Sequence, residues 1–349
     1  RNIVAKKLMV VFWIILLAVL SQILFGLQDQ TYWFAPGFGL SDIKGGFMNQ
    51  GPFAGMVAVA VLFVLGLVIN LFNDKRSNGL KQFDRILYFL LLLGFVPVLV
   101  YSNSRAAWLG CLIAFLFLIW KAIIGSWLNK LLDSHLKKGL FYISLFVISA
   151  TLILTLYNYK KDSAEGRILI WKITSEMISD KLFSGHGLNS FQSNYMHYQA
   201  DYFSKHPTDP YRHLAGNNIY AFNELLRLTS EQGLIGLLLI TILIIIYFRS
   251  FRKSKNSLVL ISQAGIILIL VFGMFSYPTE ILQLKLAGVL FIAIISKSSK
   301  SIISVSPSGF SNAKRIILFA LILFSSLFGA SKIYKTSEIY KSWNIVISE

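Results

Sequence analysis

The sequence predicts an all-α polytopic membrane protein with about nine transmembrane helices and one large, partly helical loop. Of its 349 residues, 55% are hydrophobic and only 14% are charged, whereas a soluble domain carries about 25% charged residues. The apolar residues also fall into blocks of about 16–21, the length that spans a hydrocarbon core. One such block could be a signal sequence, but so many cannot.

The predicted spans divide the chain into four regions. Five helices occupy region 1–157, the large loop is 158–232, four helices occupy 233–331, and 332–349 is a polar tail. By apolar run length the spans lie at about 8–27, 53–72, 86–101, 106–124, 140–157, 233–248, 257–275, 280–296 and 314–331.

The basic residues predict the orientation of these spans. The short loops at 73–85, 121–139, 249–256 and 297–315 each carry four Lys or Arg residues and all lie on one side. The large loop instead balances eight basic residues against eight acidic ones. Short basic loops face the cytoplasm, so the N-terminus is predicted inside and the large loop outside. The net charge of +17 is therefore attributed to topology, and no nucleic-acid partner is expected.

Several reaction classes lack the residues they need. Cys111 is the one cysteine, which excludes an internal disulfide and a thiolate zinc site. The five histidines show no metal-ligand spacing, and the motifs of P-loop, dinucleotide-binding, zinc-protease and serine-hydrolase sites are missing. We therefore expect no metal and no cofactor.

The large loop is too long to be a structureless connector, so we predict a folded element. Ser163 is predicted to cap a helix over 164–181, with Ile168, Trp171, Met177 and Ile178 on its apolar face. A glycine turn follows at 182–191. A second helix is predicted from Asn217 or Asn218 through Leu228.

An aromatic, polar segment at 195–212 separates the two predicted helices. Tyrosines near a membrane surface commonly act as interfacial anchors. Flat rings with a polar edge also suit the faces of sugars, so a sugar-stacking wall is the alternative. The spacing of these residues leaves both interpretations open.

Arg105 is the charged residue that physical chemistry marks most clearly. It follows Ser102 and Ser104 and opens a predicted span whose N-terminus faces outward. Both serines are good capping residues. Because a helix start offers free N–H groups and a positive dipole end, a guanidinium there makes a phosphate site. The alternative is an ordinary anchor that reaches the lipid headgroups.

Arg167 and Arg212 add positive charge on the same predicted side. Arg167 precedes Trp171 by one helical turn, and it could instead pair with Glu165 or Asp162. Arg212 and His213 lie just before a hydrogen-bonding segment at 217–224. Arginines without metal-ligand spacing indicate a diphosphate ligand.

Four sequence blocks resemble the O-antigen ligase and polymerase family, in that family's order over roughly 45–239. The blocks read GGFMNQGPFAG at 45–55, SRAAWL at 104–109, GRILIW at 166–171 with LFSGHGLNSF at 182–191, and AFNEL at 221–225 with EQGLIG at 231–236. Each block alone is short. Four in order around one long outer loop are more specific.

The resemblance implies an enzyme of the bacterial inner membrane that works without a metal on the periplasmic face, where the large loop covers the active site. It would move a glycan from an undecaprenyl-diphosphate donor to a lipid A core sugar, to another repeat unit or to a protein hydroxyl. By position in the motifs, Arg105 and Arg167 would hold the diphosphate, with Arg212 nearby. Contacts to glycan or acceptor are expected from a set of six residues: Asn49, Trp171, Asn189, Tyr195, Tyr220 and Asn223.

The family's acceptor-activating histidine is replaced by Phe222 in this sequence. A phenylalanine cannot accept a proton, so Glu224 or His213 supplies the base, deprotonation matters less in this branch, or the protein is inactive. We take Glu224 and His213 as the candidate catalytic residues. The family generally has more than nine spans, which fits a chain that lacks the first few.

Two other classes of function compete with the transferase. A transporter of a polyprenol-linked substrate would use the same arginines, but it would need charged or broken helices at mid-membrane. The predicted spans hold few such residues. A non-catalytic scaffold is the third interpretation, and Phe222 is the observation in its favour.

Overall fold

The computed structural model describes residues 2–28, 43–47, 49–71, 78–124, 143–144, 151, 154–249 and 256–298. These residues belong to one compact unit, Arg1–Ser299. The predicted span at 314–331 and the polar tail lie outside the described residues, as does most of the predicted span at 140–157.

Helices make up the described part of the chain, and no strand occurs within those ranges, so the all-α class is confirmed. In chain order the α-helices are α1 (Asn2–Gln28), α2 (Gln50–Leu71), α3 (Asn78–Tyr101), α4 (Arg105–Ile119), α5 (Lys161–Asp180), α6 (Phe191–Lys205), α7 (Glu224–Arg249), α8 (Ser257–Gly273) and α9 (Leu282–Ser298). A π-helical turn, Trp120–Ile124, extends α4, and short 3₁₀ turns lie at Arg212–Leu214 and Pro278–Glu280.

Four described segments are long and apolar enough to cross a membrane: Gln50–Leu71, Lys81–Tyr101, Arg105–Ala122 and Glu224–Arg249. Trp13–Leu24 and Ser257–Gly273 are apolar but shorter. The membrane class is therefore supported, while the total of nine spans stays a prediction.

Helix α2 forms the centre of the membrane-type core. Its most apolar window is 83% buried, against 17% for α3 and for α7. It packs against α3, α4 and α8, and α8 in turn packs against α4 and α9. A helix that is apolar on every side is stable only when it is surrounded, which explains why α2 lies inside and α3 at the edge.

The predicted helix of the large loop exists, but two details of the prediction are wrong. It begins at Lys161, so Ser163 lies in its first turn and is not the cap. Its buried face is formed by Leu169, Ile170, Ile173 and Met177, which lie three or four residues apart and so share one face. Of the predicted apolar positions, only Met177 belongs to that set.

Helix α6 was not predicted, because its sequence looked like a polar aromatic segment. Its buried residues Phe191, Tyr195 and Tyr202 pack on α5 and form a second apolar cluster with it. The tyrosines therefore serve mainly as core residues of the large loop. Tyr198, at the surface of this pair, bonds Asp180 at the end of α5.

The second predicted loop helix and the sixth predicted span are parts of one element. The chain at 215–223 has no α-helix, and α7 begins only at Glu224, so the predicted start at Asn217 or Asn218 is wrong. Asn223 caps α7, since its Oδ1 accepts hydrogen bonds from Leu225 N at 3.0 Å and Leu226 N at 3.1 Å. The helix is interrupted at Gly233 (φ 66°, ψ −169°).

The glycine turn after α5 is fixed against this interruption. Leu234 N donates to Leu182 O at 2.8 Å, His186 N to Ser230 O at 2.9 Å, and Gly187 N to Glu231 O at 2.8 Å. The backbones approach so closely that a Cβ on Gly233 would lie 2.1 Å from Phe183 O. The glycine turn at 182–191 and the segment around Gly233 are therefore held together by direct backbone contact.

Candidate functional site

A cavity of about 200 Å³ lies where three helices begin. Its lining comes from the starts of α2, α4 and α5 and from two short connections that contain Phe222 and Tyr277. The lining residues are Asn49, Gln50, Gly51, Ser102, Asn103, Ser104, Arg105, Ala106, Lys160, Ser163, Arg167, Phe222, Ser276 and Tyr277. No Asp or Glu is among these described lining residues.

The starts of α4 and α5 are uncapped by side chains. Ser104 occupies the N-cap position of α4 and Lys160 that of α5, and neither side chain makes a capping hydrogen bond. Ser104 is thus at the predicted cap position but lacks the capping hydrogen bond, and the prediction for Ser102 is wrong because its Oγ donates to Leu99 O at 2.6 Å. The first N–H groups of both helices remain available, with the positive ends of two helix dipoles beside them.

Arg105 lies at the start of α4 and contacts the chain that leads into α5. Its Nη1 donates to Leu156 O at 2.5 Å and to Tyr157 O at 3.5 Å. Residues 154–159 are helical, so this guanidinium satisfies carbonyls at the end of a short helical segment. Arg105 therefore has a structural contact as well as a place in the cavity.

Arg167 has a different environment. Its guanidinium carbon lies 5.4 Å from the centre of the Phe222 ring, within the range of a cation–π contact. In the described part of the chain neither Asp162 nor Glu165 pairs with it, since Glu165 contacts Lys161 at 3.7 Å and accepts from Tyr157 Oη at 3.2 Å. The alternative of an ion pair within α5 is thus not what the structure contains.

The electrostatics of Arg167 follow from this arrangement. Burial, and after it the positive charge of Arg105, lower the pKa of Arg167 to about 10. The side chain is still protonated at neutral pH. Arg105, Lys160 and Arg167 thus give the cavity three basic groups, with no carboxylate among its described lining residues. A bound anion would relieve both the burial cost and the repulsion.

Aromatic rings form one wall of the cavity. Tyr277 stacks on Tyr220 with ring centres 3.8 Å apart, and Phe222 meets the Tyr277 ring edge to face at 5.4 Å. Asn49 Nδ2 donates to Tyr277 Oη at 2.5 Å. Burial raises the pKa of Tyr277, so its hydroxyl stays protonated. Because Asn49 is the donor in their hydrogen bond, the Tyr277 proton remains available to another acceptor.

Phe222 is held in an unusual backbone conformation. Its φ is +50°, which is costly for a bulky residue and is retained only when neighbouring contacts fix it. Trp171 Nε1 donates to Ala221 O at 3.1 Å on one side, and Asn223 Nδ2 donates to Met274 O at 3.2 Å on the other. Trp171 and Asn223, both predicted contact residues, thus fix the backbone that carries Phe222.

Glu224, the favoured candidate base, points away from the cavity lining. Its Oε1 accepts from Thr279 N at 2.9 Å and Thr279 Oγ1 at 2.5 Å, while Oε2 pairs with Arg227 at 3.1 Å. Arg227 also contacts Glu231 at 3.5 Å and Glu280 at 3.0 Å. This network connects the start of α7 to the turn that follows Tyr277.

The remaining predicted site residues do not reach the cavity lining. His213 is exposed and its Nδ1 lies 2.9 Å from Pro210 O, and exposed Arg212 donates to Pro207 O at 3.1 Å. Tyr195 is buried in the α5–α6 cluster, and Asn189 is exposed in a turn with φ +59°. Their assigned roles stay predictions. Of the predicted site residues, Asn49, Arg105 and Arg167 line the cavity, and Tyr220 stacks on the lining residue Tyr277.

Sequence reasoning missed Tyr277, Ser276 and Lys160. Lys160 Nζ donates to Asn103 O at 3.2 Å and joins the cavity from the residue before α5. Tyr277 lies in a connection of a few residues between two apolar helices, where no motif marks it. The one available signal was that this connection falls on the same predicted side as the large loop.

The contacts of Glu224 lead to a prediction about its role. We expect Glu224→Gln to lower the melting temperature, because the bond to Arg227 loses its charge, but to lower any catalytic activity of the site by less than about tenfold. Loss of a general base would cost about 10²–10⁴-fold. A pH–rate profile of the variant distinguishes a structural role of Glu224 from that of a general base. Glu280→Gln is the control, because Glu280 contacts the same arginine, Arg227. A loss above about 100-fold together with a missing acid limb would restore Glu224 as the base.

Comparison with known proteins shows similarity over the middle of the chain. Residues 87–241 match the family model described as O-antigen ligase. A protein of Rickettsia conorii named as an inferred polysaccharide ligase is 28% identical over 232 residues, which are 64% of this chain and 52% of that protein. One of Rickettsia felis with the same description is 25% identical over 211 residues, 58% of this chain and 47% of that protein.

The matched residues contain three of the four sequence blocks, Arg105, Arg167 and Phe222, whereas the block at 45–55 lies before them. The chain spans about half the length of both relatives. The resemblance inferred from the sequence motifs is therefore confirmed: residues 87–241 of this chain match the family model described as O-antigen ligase.

Proposed function

We propose that this protein transfers a glycan from an undecaprenyl-diphosphate donor to an acceptor hydroxyl at the outer face of the bacterial inner membrane. The acceptor we favour is a lipid A core sugar, which would make the protein an O-antigen ligase. The names of the two relatives, both described as polysaccharide ligases, support this choice.

One observation carries the proposal: Arg105 and Arg167 line a cavity at the uncapped starts of two helices, and no carboxylate is among its described lining residues. Guanidinium groups and free helix N–H groups are two of the means by which proteins bind phosphate without a metal. Sites for small organic ligands usually measure about 300–1,000 Å³. A cavity of about 200 Å³ suits a compact diphosphate better than an oligosaccharide.

In the proposed reaction the acceptor oxygen attacks the anomeric carbon of the donor sugar. The bond between that carbon and the diphosphate oxygen breaks, and undecaprenyl diphosphate leaves with the electron pair. Arg105, Arg167 and the helix N–H groups stabilise the negative charge that develops on the leaving oxygen. The Tyr277 hydroxyl can donate a further hydrogen bond, since its proton is free of Asn49.

The acceptor proton needs a destination. The described cavity lining contains neither a carboxylate nor a histidine, so we favour transfer of this proton to solvent as the new bond forms. Phe222 in place of the family's histidine left three alternatives: another base, a minor role of deprotonation, or an inactive protein. Proton transfer to solvent corresponds to the second. Catalysis would then depend chiefly on stabilising the leaving diphosphate.

Phe222 acquires a role of its own in this proposal, as a positioning residue for Arg167. Phe222→Leu keeps the apolar bulk but removes the ring face, so we expect donor KM to rise by about 5–30-fold, equivalent to about 1–2 kcal/mol. Phe222→Tyr retains the ring and should stay near the starting value. Steady-state kinetics against donor concentration would measure both. Equal KM values in the two variants would contradict the positioning role.

The proposed function is tested by incubating the protein in lipid nanodiscs with an undecaprenyl-diphosphate glycan and candidate acceptors. The glycan products and the released undecaprenyl diphosphate are both followed. A single adduct on lipid A core identifies a ligase, a ladder of repeats a polymerase, and a glycosylated protein the third branch. No release of undecaprenyl diphosphate, with Phe222→His also inactive, would favour the transporter or the scaffold.

A further inference from the structure

The glycine turn between α5 and α6 exposes large apolar side chains. Phe183 is 67% exposed, Leu188 is 76% exposed and Leu182 is 39% exposed. Such exposure is unfavourable in water for a turn that is otherwise fixed by backbone hydrogen bonds. An exposed lysine, Lys181, directly precedes these residues.

The hydrogen bonds of this turn place it along α7. Leu182 O accepts from Leu234 N, and Gly187 N donates to Glu231 O. Leu182 therefore lies beside the part of α7 that follows the interruption at Gly233, whereas Gly187 lies beside Glu231, which precedes it. The apolar tip of the turn therefore lies at the level where the apolar part of α7 begins.

The part of α7 beyond this level belongs to a segment long and apolar enough to cross a membrane, Glu224–Arg249. Its exposed side chains form a continuous apolar series from that level onward: Leu234, Ile235, Leu238, Leu239, Ile242 and Leu243. The exposed face of the turn thus continues directly into the exposed face of a membrane-type helix.

We propose that Leu182 and Phe183 insert into the lipid of the outer leaflet and anchor the large loop to the membrane. Apolar side chains beside a lysine form the combination that partitions into a bilayer interface, because the ring and the leucine enter the acyl boundary while the ammonium stays with the headgroups. Leu188 follows Gly187, which bonds to Glu231 before the interruption of α7, so we place Leu188 nearer the headgroups than Phe183.

The anchor constrains the helix that carries Arg167. Helix α5 runs from the cavity, at Ser163 and Arg167, to Lys181 at the turn, a distance of about 21 Å from Arg167 to Lys181. Its first end is held by the cavity segments and its last end by the bilayer. This inference rests on membrane contacts and does not depend on the proposed reaction.

Site-directed spin labelling tests the insertion directly. Replacing the single, buried cysteine by Cys111→Ala gives a background into which Phe183→Cys, Leu188→Cys and Gly216→Cys are introduced one at a time. Position 216 is the matched control in the same loop, since a Cβ there meets no heavy atom within 4 Å. Each labelled protein is reconstituted in nanodiscs of phosphatidylethanolamine and phosphatidylglycerol, and its collision rates with oxygen and with a neutral nickel complex are measured.

Insertion predicts a ratio of oxygen to nickel accessibility at 183 that is several-fold above that at 216, with 188 between them. Three results would overturn the proposal: preferential nickel access at 183, low access to both reagents at 183, and greater depth at 188 than at 183. The first would place the turn in water, and the second would place it under another part of the chain or a protein partner. A melting curve for each variant establishes that the labelled protein is folded.

Discussion

Replacing Arg167 with alanine is expected to lower glycan transfer by about 100-fold or more, the loss that follows removal of one preorganised donor to a developing negative charge. Arg167 is the cleaner of the two arginines to test. Arg105 also donates to the carbonyl of Leu156, so its removal disturbs the chain that leads into α5. Arg167 contacts Phe222, and no described carboxylate pairs with it.

The control for this prediction is Arg212→Ala. Arg212 is a third arginine of the large loop, but it is exposed and bonds Pro207 O outside the cavity lining, so transfer should change little. Arg167→Lys retains the charge while losing the planar, two-pronged geometry, and we expect an intermediate loss. Near-normal turnover of Arg167→Ala, with folded protein verified by its melting curve, would refute the diphosphate role.

The two arginines were predictable from the sequence for a physical reason. Placing a charged side chain beside a membrane span costs free energy, so such a residue is a candidate for function, whereas the surrounding apolar residues are not. The same reasoning named Arg212, which the structure leaves outside the cavity lining. Charge alone identifies candidates, but it does not say which of them the fold brings together.

Tyr277 and the position of Glu224 could not be predicted, because both depend on contacts between distant parts of the chain. Tyr277 faces Asn49 and Phe222, which lie in other connections. By sequence Glu224 is a candidate base because it lies two residues after Phe222. Its carboxylate is instead occupied by Thr279 and Arg227, a contact that no local pattern reveals.

The errors in secondary structure have two causes. Helix α6 has an almost neutral hydropathy pattern, since its buried positions are a phenylalanine, two tyrosines and a glutamine, so periodicity gives no clear signal. The start of α7 was misplaced because Asn217, Asn218 and Asn223 are all plausible caps, and only tertiary contacts select Asn223. Long apolar helices such as α2 were located to within a few residues, because run length alone defines them.

Gly233→Ala is expected to destabilise the protein strongly. At φ 66° and ψ −169° the residue occupies a region that is essentially restricted to glycine. A Cβ there would also lie 2.1 Å from Phe183 O and 2.3 Å from its carbonyl carbon. The contact is with backbone, so no rotation of a side chain can relieve it.

We expect the substitution to cost at least about 2 kcal/mol of unfolding free energy and to lower both the yield and the melting temperature of the purified protein. Two other glycines separate the causes. Gly187 has φ +108° but no heavy atom near its Cβ, and Gly216 has neither a positive φ nor a close neighbour. Alanine should therefore be harmful at 233, mildly destabilising at 187 and neutral at 216.

The order of these three melting temperatures shows whether backbone conformation or close contact with Phe183 O makes glycine necessary at position 233. If Gly187→Ala is as harmful as Gly233→Ala, backbone conformation is the cause, and the contact with Phe183 O is incidental. If Gly233→Ala is tolerated, the turn and α7 are not interlocked in the protein. The predicted order instead means that the glycines permit the close backbone approach, which fixes the end of α5 beside α7. That fixation would position Arg167 and Phe222 relative to each other, so Gly233→Ala should also reduce transfer in whatever protein remains folded.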